Sequence, residues 1–391
     1  MKKQIAERIN RVQLFLGRVM FEKAKVLERK GEKLIHFEIG EPDFDTPQHI
    51  KEAAKRALDE GYTHYVSNYG LLELRTAIAE KLKKDNNIKA NPATDICVTV
   101  GSQEAAYLAI MCTIEPGDEV LISDPSYYTY RNCVRLAGGT PISVQLKEKD
   151  HFRLNPEELE RKLTPKSKMI VINSPCNPTG SIITEDDLKA IDEIAIKSDL
   201  LVLADEIYEK IIYDGQKHYS IAALSDDPER IITANGFSKA YAMTGWRIGY
   251  MVASKRIISE AAKIQQSAIG SATTFVQKGA VEALRGPQDA VREMVDEFAR
   301  RRDLIVDRLE DVRGLSLIKP KGAFYVFVGV KELGKSSQEL AELLLSEAKV
   351  VTTPGIAFGE NGEGFIRISC ATSMENVREG LENIAQVLDN L

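Results

Sequence analysis

Cysteine is sparse and unpaired in this sequence: Cys97, Cys112, Cys133, Cys176 and Cys370 stand apart with no CxxC spacing. That excludes a zinc ribbon and fits a reducing compartment, which points to the cytoplasm. No uninterrupted apolar run approaches the ~18 residues of a membrane helix. Histidine is equally scarce, and His36, His49, His64, His151 and His218 form no HExxH pair for a metal. No GxGxxG occurs, so a nicotinamide oxidoreductase lacks its fingerprint. An excess of positive charge is missing too. A net charge of −6 and a pI near 5.7 offer nothing to nucleic acid or to an anionic membrane.

What is present is an ordinary globular balance, with 43% hydrophobic and 28% charged residues, and no internal repeat. The 391 residues suffice for about two or three domains. The N-terminal 25 residues carry charges throughout, which argues against a signal peptide and predicts an amphipathic helix. From residue 94 onward, β-rich runs alternate with helical segments. The runs are "ICVTV" (96–100), "EVLIS" (119–123), "MIVIN" (169–173), "LLVLA" (200–204), "IITAN" (231–235) and "IGYMV" (248–252). Continuous hydrophobicity in short runs predicts strands covered on both faces. Helix starts lie between them: Asn155 followed by Pro156, and a capping-box-like Thr184…Asp187 pair. The pattern predicts an α/β fold, with a large domain built on a doubly wound, mostly parallel sheet. "LRGPQD" (284–289) closes that domain, and a long charged helix, "GAFYVFVGV" and "FIRISCA" predict a smaller α+β domain. The expected division is residues 1–45 as an N-terminal arm and part of the small domain, 46–286 as the large domain, and 287–391 as the small one.

Two motifs invite readings that their surroundings oppose. "GVKELGKS" (329–336) satisfies GxxxxGK[ST], but Glu332 sits where backbone amides should cradle phosphate, and a surface loop is the better reading. "GFSKA" (236–240) resembles a nucleophile elbow centred on Ser238. That fold needs a histidine later in the chain, and all five precede it.

Ligands in such sheets bind beyond the carboxyl ends of the strands. There the sequence places Gly101 before a helix starting near Ser102, an anion site made of free N–H groups. Tyr127 offers a flat ring, Asn177 a side-chain donor, Asp205 a carboxylate and Tyr208 a phenol. Lys239 ends an apolar run, where burial favours the neutral, nucleophilic amine, and Arg247 follows eight residues later. These are the parts needed to hold pyridoxal phosphate. The chain resembles the class I aminotransferases of the fold-type I pyridoxal-phosphate enzymes, in the aspartate and aromatic aminotransferase branch. Six ordered motifs carry the resemblance over nearly the whole chain: "GEPDFDTP", "YVSNYGLLELR", "NSPCNPTG", "ADEIY", "FSKAYAMTGWRIGY" and "FIRISCA".

The resemblance implies roles residue by residue. Lys239 matches the lysine that carries the cofactor aldehyde and shuttles the substrate Cα proton. Asp205 matches the partner of the pyridinium nitrogen, and Asn177 and Tyr208 match the two donors to the cofactor's phenolic oxygen. Ser102, Gln103, Ser238 and Arg247 match the phosphate site, which lacks one hydroxyl because Gly236 stands where many relatives have serine. Tyr127 matches the ring that stacks on the cofactor. Tyr65 matches a tyrosine that reaches the neighbouring subunit's phosphate, which implies a homodimer with shared sites. Arg367 matches the clamp for the substrate α-carboxylate, assisted by Asn177 and by the backbone N–H of Gly40. No metal is implied. The implied reaction is ping-pong transfer of an amino group between an amino acid and a 2-oxo acid, with 2-oxoglutarate and glutamate as one pair. A C–S β-lyase of the same fold is the nearest alternative, and a P-loop nucleotide-binding protein the remote one. The positions where dicarboxylate-specific relatives place a cation hold none here: residues 257–284 contain no arginine, and Gln103 stands in place of a lysine. With the apolar segment 12–16, this predicts a broad donor range.

Overall fold

Alternate residues of the apolar runs enter different cores, as a sheet covered on both faces requires. In the computed structural model, which describes residues 5–390, Val120, Ile122, Met169, Val171, Leu203 and Ile232 share a core with Leu108, Ile110, Ile258 and Ala261. The latter four come from helices Ser102–Thr113 and Lys255–Ala268. Leu121, Ile170, Ile172, Val202 and Ala204 join Leu188, Ile191 and Ala195 of helix Glu185–Lys197 in a second core.

Seven strands form this sheet in the order Ile96–Thr99, Gly249–Val252, Ile231–Gly236, Leu201–Asp205, Ser167–Asn173, Glu119–Asp124, Thr140–Gln145. Gly249–Val252 runs antiparallel to both its neighbours and every other pairing is parallel. The sheet is therefore the mostly parallel α/β sheet expected. Thr140–Gln145 is a strand that the hydrophobic pattern did not reveal. Pro141 and its polar residues are tolerated because it is an edge strand, paired on one side only with Glu119–Asp124.

Two helix starts are built as the residues suggest, with one difference. The Asn155 side chain accepts the Glu157 amide, and Thr184 accepts the Asp187 amide. Asp187 does not return the bond; its carboxylate takes Arg153 instead, a charged partner that outcompetes a backbone amide. The N-terminal segment is helical only in pieces, a 3-10 turn at Glu7–Arg11 and helix Leu16–Glu28. Between them the Gln13 backbone is clasped by the Asn132 side amide, at 3.1 Å through its N–H and 2.9 Å through its carbonyl.

C-terminal to helix Thr274–Arg285, the long charged helix Asp289–Leu309 packs with helix Met374–Leu388 beside an antiparallel four-stranded sheet. Its order is Thr353–Pro354, Phe365–Ser369, Tyr325–Gly329, Ser316–Leu317. Ile35–His36 pairs in parallel with Val350–Val351, and Met20 and Ala24 pack on Ala341 and Leu345. The 329–336 loop is a capped helix start: Ser336 and Glu339 form a reciprocal capping box, and Glu363 takes the Ser337 amide. Two carboxylates thus occupy the amides that a phosphate would need.

Where the antiparallel strand passes the first helix, contact is backbone to backbone. A Cβ on Gly249 would lie 2.6 Å from both Gly101 C and Ser102 N. Gly249→Ala is expected to cost ~1–3 kcal/mol by overpacking, read as a lowered urea midpoint at unchanged m. An unmoved midpoint would show that strand and helix are free to separate.

Candidate active site

The carboxyl ends of the parallel strands converge on one cavity of about 660 Å³. Strand Ile96–Thr99 leads through Gly101 (φ +85°) into helix Ser102–Thr113, so Ser102 and Gln103 face the cavity at a helix N-terminus. Glu119–Asp124 delivers Tyr127, Ser167–Asn173 delivers Asn177, Leu201–Asp205 ends on Asp205, and Ile231–Gly236 leads to Ser238 and Lys239. Arg247, held at φ +53°, precedes the antiparallel strand and donates to Thr244 O at 3.0 Å and Val100 O at 3.3 Å. A Cβ on Gly101 would meet its Nη2 at 2.7 Å, so glycine serves there both the left-handed turn and the arginine.

Asp205 is buried and, among the described residues, has no cation as hydrogen-bond partner. Its carboxylate accepts from the Tyr130 hydroxyl at 2.7 Å and the Ile207 amide at 3.1 Å. The chain after it forms a turn and no helix, so the Ile207 bond closes that turn. Burial pushes its pKa up to about 6, against the pull of those two hydrogen bonds. Lys239 is shifted the opposite way, to about 8, because burial disfavours its ammonium form more than nearby Glu41 supports it. Its Nζ donates to the Gly40 carbonyl and lies 5.8 Å from the ring centres of Tyr208 and Phe324.

Arg367 enters from strand Phe365–Ser369 and is buried. It donates to Asn177 Oδ1 at 2.9 Å and Glu38 O at 2.6 Å, and lies 4.3 Å over the Tyr325 ring. Its Nε is buried without a partner, an open donor on a cavity wall. The Tyr208 and Tyr325 hydroxyls are 2.8 Å apart. A Cβ on Gly40 would lie 2.8 Å from the Tyr325 hydroxyl, so glycine admits that approach.

Gly40, Ser102, Gln103, Tyr127, Asn177, Asp205, Tyr208, Ser238, Lys239, Arg247 and Arg367 therefore line one cavity. Tyr65 does not; it lies outside and is 97% exposed. The donor set fits pyridoxal phosphate. A helix N-terminus and an arginine offer donors to an anion, a buried carboxylate has no cationic hydrogen-bond partner among the described residues, and an amine shifted toward neutrality faces the same space.

Several residues of the cavity escaped the sequence reading. Tyr130 and Tyr325 sit in "DPSYYTY" and "GAFYVFVGV", where nothing distinguishes them from core aromatics. Arg18 and Phe21 of helix Leu16–Glu28 also line the cavity, beside Phe15 of the expected apolar segment 12–16. Phe15 stacks on Tyr128 at 4.6 Å. Arg18 is a cation lining the cavity outside the two positions weighed from the sequence, and its present partner is Glu22 at 3.1 Å. Its place at i+3 from Phe15 was the available signal. Behind Asp205, Glu206 and Glu209 turn away into a buried polar cluster with Lys81, Asn86, His218 and Ser220. That cluster anchors the turn carrying Asp205 and Tyr208.

Comparison with known proteins agrees with this geometry. The family described as "Aminotransferase class I and II" matches residues 32–384. An aspartate aminotransferase of Pyrococcus abyssi is 50% identical over 357 residues, covering 91% of this chain and 92% of the relative. An aromatic-amino-acid aminotransferase 2 of Thermococcus litoralis is 46% identical over 386 residues and 98% of both chains. A crystal structure of an aromatic aminotransferase from Pyrococcus horikoshii superposes with a TM-score of 0.90 at 47% identity, over 94% of this chain and 99% of that one.

The Lys239 shift has a stability consequence in protein freed of cofactor. Between about pH 8 and the ordinary value of 10.5, the unfolded chain holds this proton and the folded chain has released it. Stability from this residue therefore rises with pH across that window, by on the order of 3 kcal/mol. Urea midpoints of wild type and Lys239→Met are expected to diverge in pH dependence there. Parallel curves from pH 8 to 10.5 would show the amine to be unshifted.

Proposed function

This chain belongs to the class I and II aminotransferases, and from that premise we propose the division of labour within its cavity. It is an amino acid:2-oxo acid aminotransferase that uses pyridoxal 5′-phosphate. Bound there, that cofactor supplies an aldehyde carbon to carry the amino group and a protonated ring to take up the electron pair released at the substrate Cα. The convergence of Lys239, Asp205, Arg247 and Arg367 on one cavity carries the assignment of residues.

Lys239 holds the aldehyde carbon and moves the proton at the substrate Cα. A pKa near 8 leaves part of its amine neutral at physiological pH, as a base requires. Asp205 holds the ring N–H⁺. A desolvated carboxylate near pKa 6 gains most from such a cation, and Tyr130 fixes its second oxygen. Asn177 and Tyr208 donate to the phenolic oxygen, and Tyr127 covers a ring face. Ser102, Gln103, Ser238 and Arg247 hold the phosphate, the arginine through its fork. Arg367 and the Gly40 amide take the α-carboxylate, with Asn177 supporting the arginine.

At the mouth, Phe15, Phe21 and Tyr128 offer apolar surface to an aromatic side chain, while Arg18 offers a partner to an acidic one. Its ion pair with Glu22 is exposed and worth at most about 1 kcal/mol, so exchanging it for a substrate carboxylate costs little. We therefore propose a broad donor range, with glutamate and 2-oxoglutarate as the shared pair in a ping-pong cycle. We assign residues 1–45, 46–286 and 287–391 to the arm, the large domain and the small domain. The chain works as a homodimer in the cytoplasm, consistent with its five free cysteines. No helix among the described residues is long and apolar enough to cross a membrane.

Borohydride reduction of the holoenzyme followed by peptide mapping is expected to mark Lys239. A mark on another lysine removes it from the mechanism. With 2-oxoglutarate as acceptor, aspartate, glutamate and at least one aromatic or aliphatic donor are expected to react with kcat/KM within about two orders of magnitude, a gap of ~2.7 kcal/mol. Dominance of one donor by far more than that contradicts the breadth, and thiol release from cystathionine in place of transamination would favour a C–S lyase.

The exposure of Tyr65 supports its reaching a partner's phosphate across the dimer. Hybrid dimers of Tyr65→Phe and Lys239→Ala subunits are expected to gather both defects in one site and leave the other intact. Hybrids with half the activity of the Tyr65→Phe parent, in place of half the wild-type activity, would refute sharing.

A further inference from the structure

Tyr325 touches three residues of the site and has no role in the assignments above. It stands on strand Tyr325–Gly329 of the C-terminal sheet, whereas Tyr208 follows strand Leu201–Asp205 of the large sheet. Their hydroxyls meet at 2.8 Å, so one hydrogen bond joins the two sheets inside the cavity. Both residues are buried, and burial raises the pKa of each phenol, so each holds its single proton at working pH. The geometry leaves either hydroxyl free to donate. The other face of Tyr325 lies 4.3 Å beneath the Arg367 guanidinium. Its hydroxyl also fills the space that a side chain at Gly40 would take.

A phenol has one proton and two acceptor lone pairs. If Tyr208 spends its proton on the cofactor's phenolic oxygen, as proposed above, its bond to Tyr325 can persist only with Tyr325 as donor. We propose that Tyr325 is a positioning residue that donates to Tyr208 Oη, commits the Tyr208 proton to the cofactor, and ties that donor to the α-carboxylate clamp. A hydroxyl that accepts one hydrogen bond donates a stronger one, because the bonds polarise each other. Tyr325 therefore strengthens the stabilisation of the ionised phenolic oxygen without touching it. Its ring supports Arg367 through the guanidinium–aromatic contact. The two functions are separable, because Tyr325→Phe deletes the hydroxyl and keeps the ring.

This proposal rests on the reading of Tyr208 as a cofactor donor, and the experiment separates the two. The visible absorption band of the holoenzyme is titrated with pH in wild type, Tyr325→Phe, Tyr208→Phe and the double variant. Affinity for a simple carboxylate inhibitor is measured on each. Losing a donor to the phenolic oxygen raises the titration midpoint. Tyr208→Phe is expected to raise it most, and Tyr325→Phe by roughly 0.3–1 pH unit, the equivalent of one ordinary hydrogen bond. The double variant is expected to match Tyr208→Phe alone, because Tyr325 acts through Tyr208. Inhibitor affinity of Tyr325→Phe is expected to stay within about twofold of wild type, because the ring beneath Arg367 remains. A shift in Tyr208→Phe with none in Tyr325→Phe overturns the role of Tyr325 and leaves the Tyr208 reading standing. Additive shifts also overturn it, as does a loss of inhibitor affinity with an unmoved midpoint. An unmoved midpoint in Tyr208→Phe defeats the underlying reading and the proposal with it.

Discussion

Two opposite charges share one cavity without satisfying each other, and the rest of the molecule is arranged around that fact. Asp205 accepts from Tyr130 and from a backbone amide, while Lys239 donates to the Gly40 carbonyl. A direct ion pair would hold both groups in their charged forms and leave neither available. With no direct pair to oppose it, burial moves the carboxylate up to about 6 and the amine down to about 8. Each is thereby poised for a partner of its own. The fold supplies the separation: Asp205 ends one strand, and Lys239 lies in the turn three residues after the end of the adjacent parallel strand Ile231–Gly236.

Close backbone approach is what lets an anion site form beside them. Gly249 allows the antiparallel strand to run against the first turn of helix Ser102–Thr113, and Gly101 leaves room for Arg247. The buried cluster of Lys81, Asn86, Glu206, Glu209, His218 and Ser220 grips the opposite side of the turn that bears Asp205 and Tyr208. Glu209 is held down at about 2: burial alone would raise it, and the Lys81 and His218 charges overcome that penalty. Removing one member of such a cluster leaves a buried charge unpaired, so the cluster favours this one placement of the turn.

The substrate side of the cavity is assembled from elsewhere. Gly40 comes from the connection after Ile35–His36, Arg367 and Tyr325 from the C-terminal sheet, and Phe15 and Arg18 from the N-terminal segment. In the assignment proposed above, cofactor chemistry belongs to the large sheet and substrate recognition largely to the elements packed against it. The Tyr208–Tyr325 and Asn177–Arg367 hydrogen bonds cross between the two.

The sequence by itself determined the sheet class, six of its seven strands, and which strand ends carry chemistry, because short continuous apolar runs and the polar residues after them are local signals. Thr140–Gln145 stayed hidden because an edge strand is free of the burial that writes such a signal. The family resemblance named Lys239, Asp205, Arg247 and Arg367, and the structure brings the four to one cavity. Only the tertiary structure could show that Tyr130 holds Asp205, that Tyr325 holds Tyr208, and that Arg18 reaches the mouth. Tyr130 and Tyr325 lie 75 and 117 residues from the groups they hold. A tyrosine in a core strand and a tyrosine aimed into a cavity read alike in one dimension; what separates them is which sheet edge the fold brings opposite.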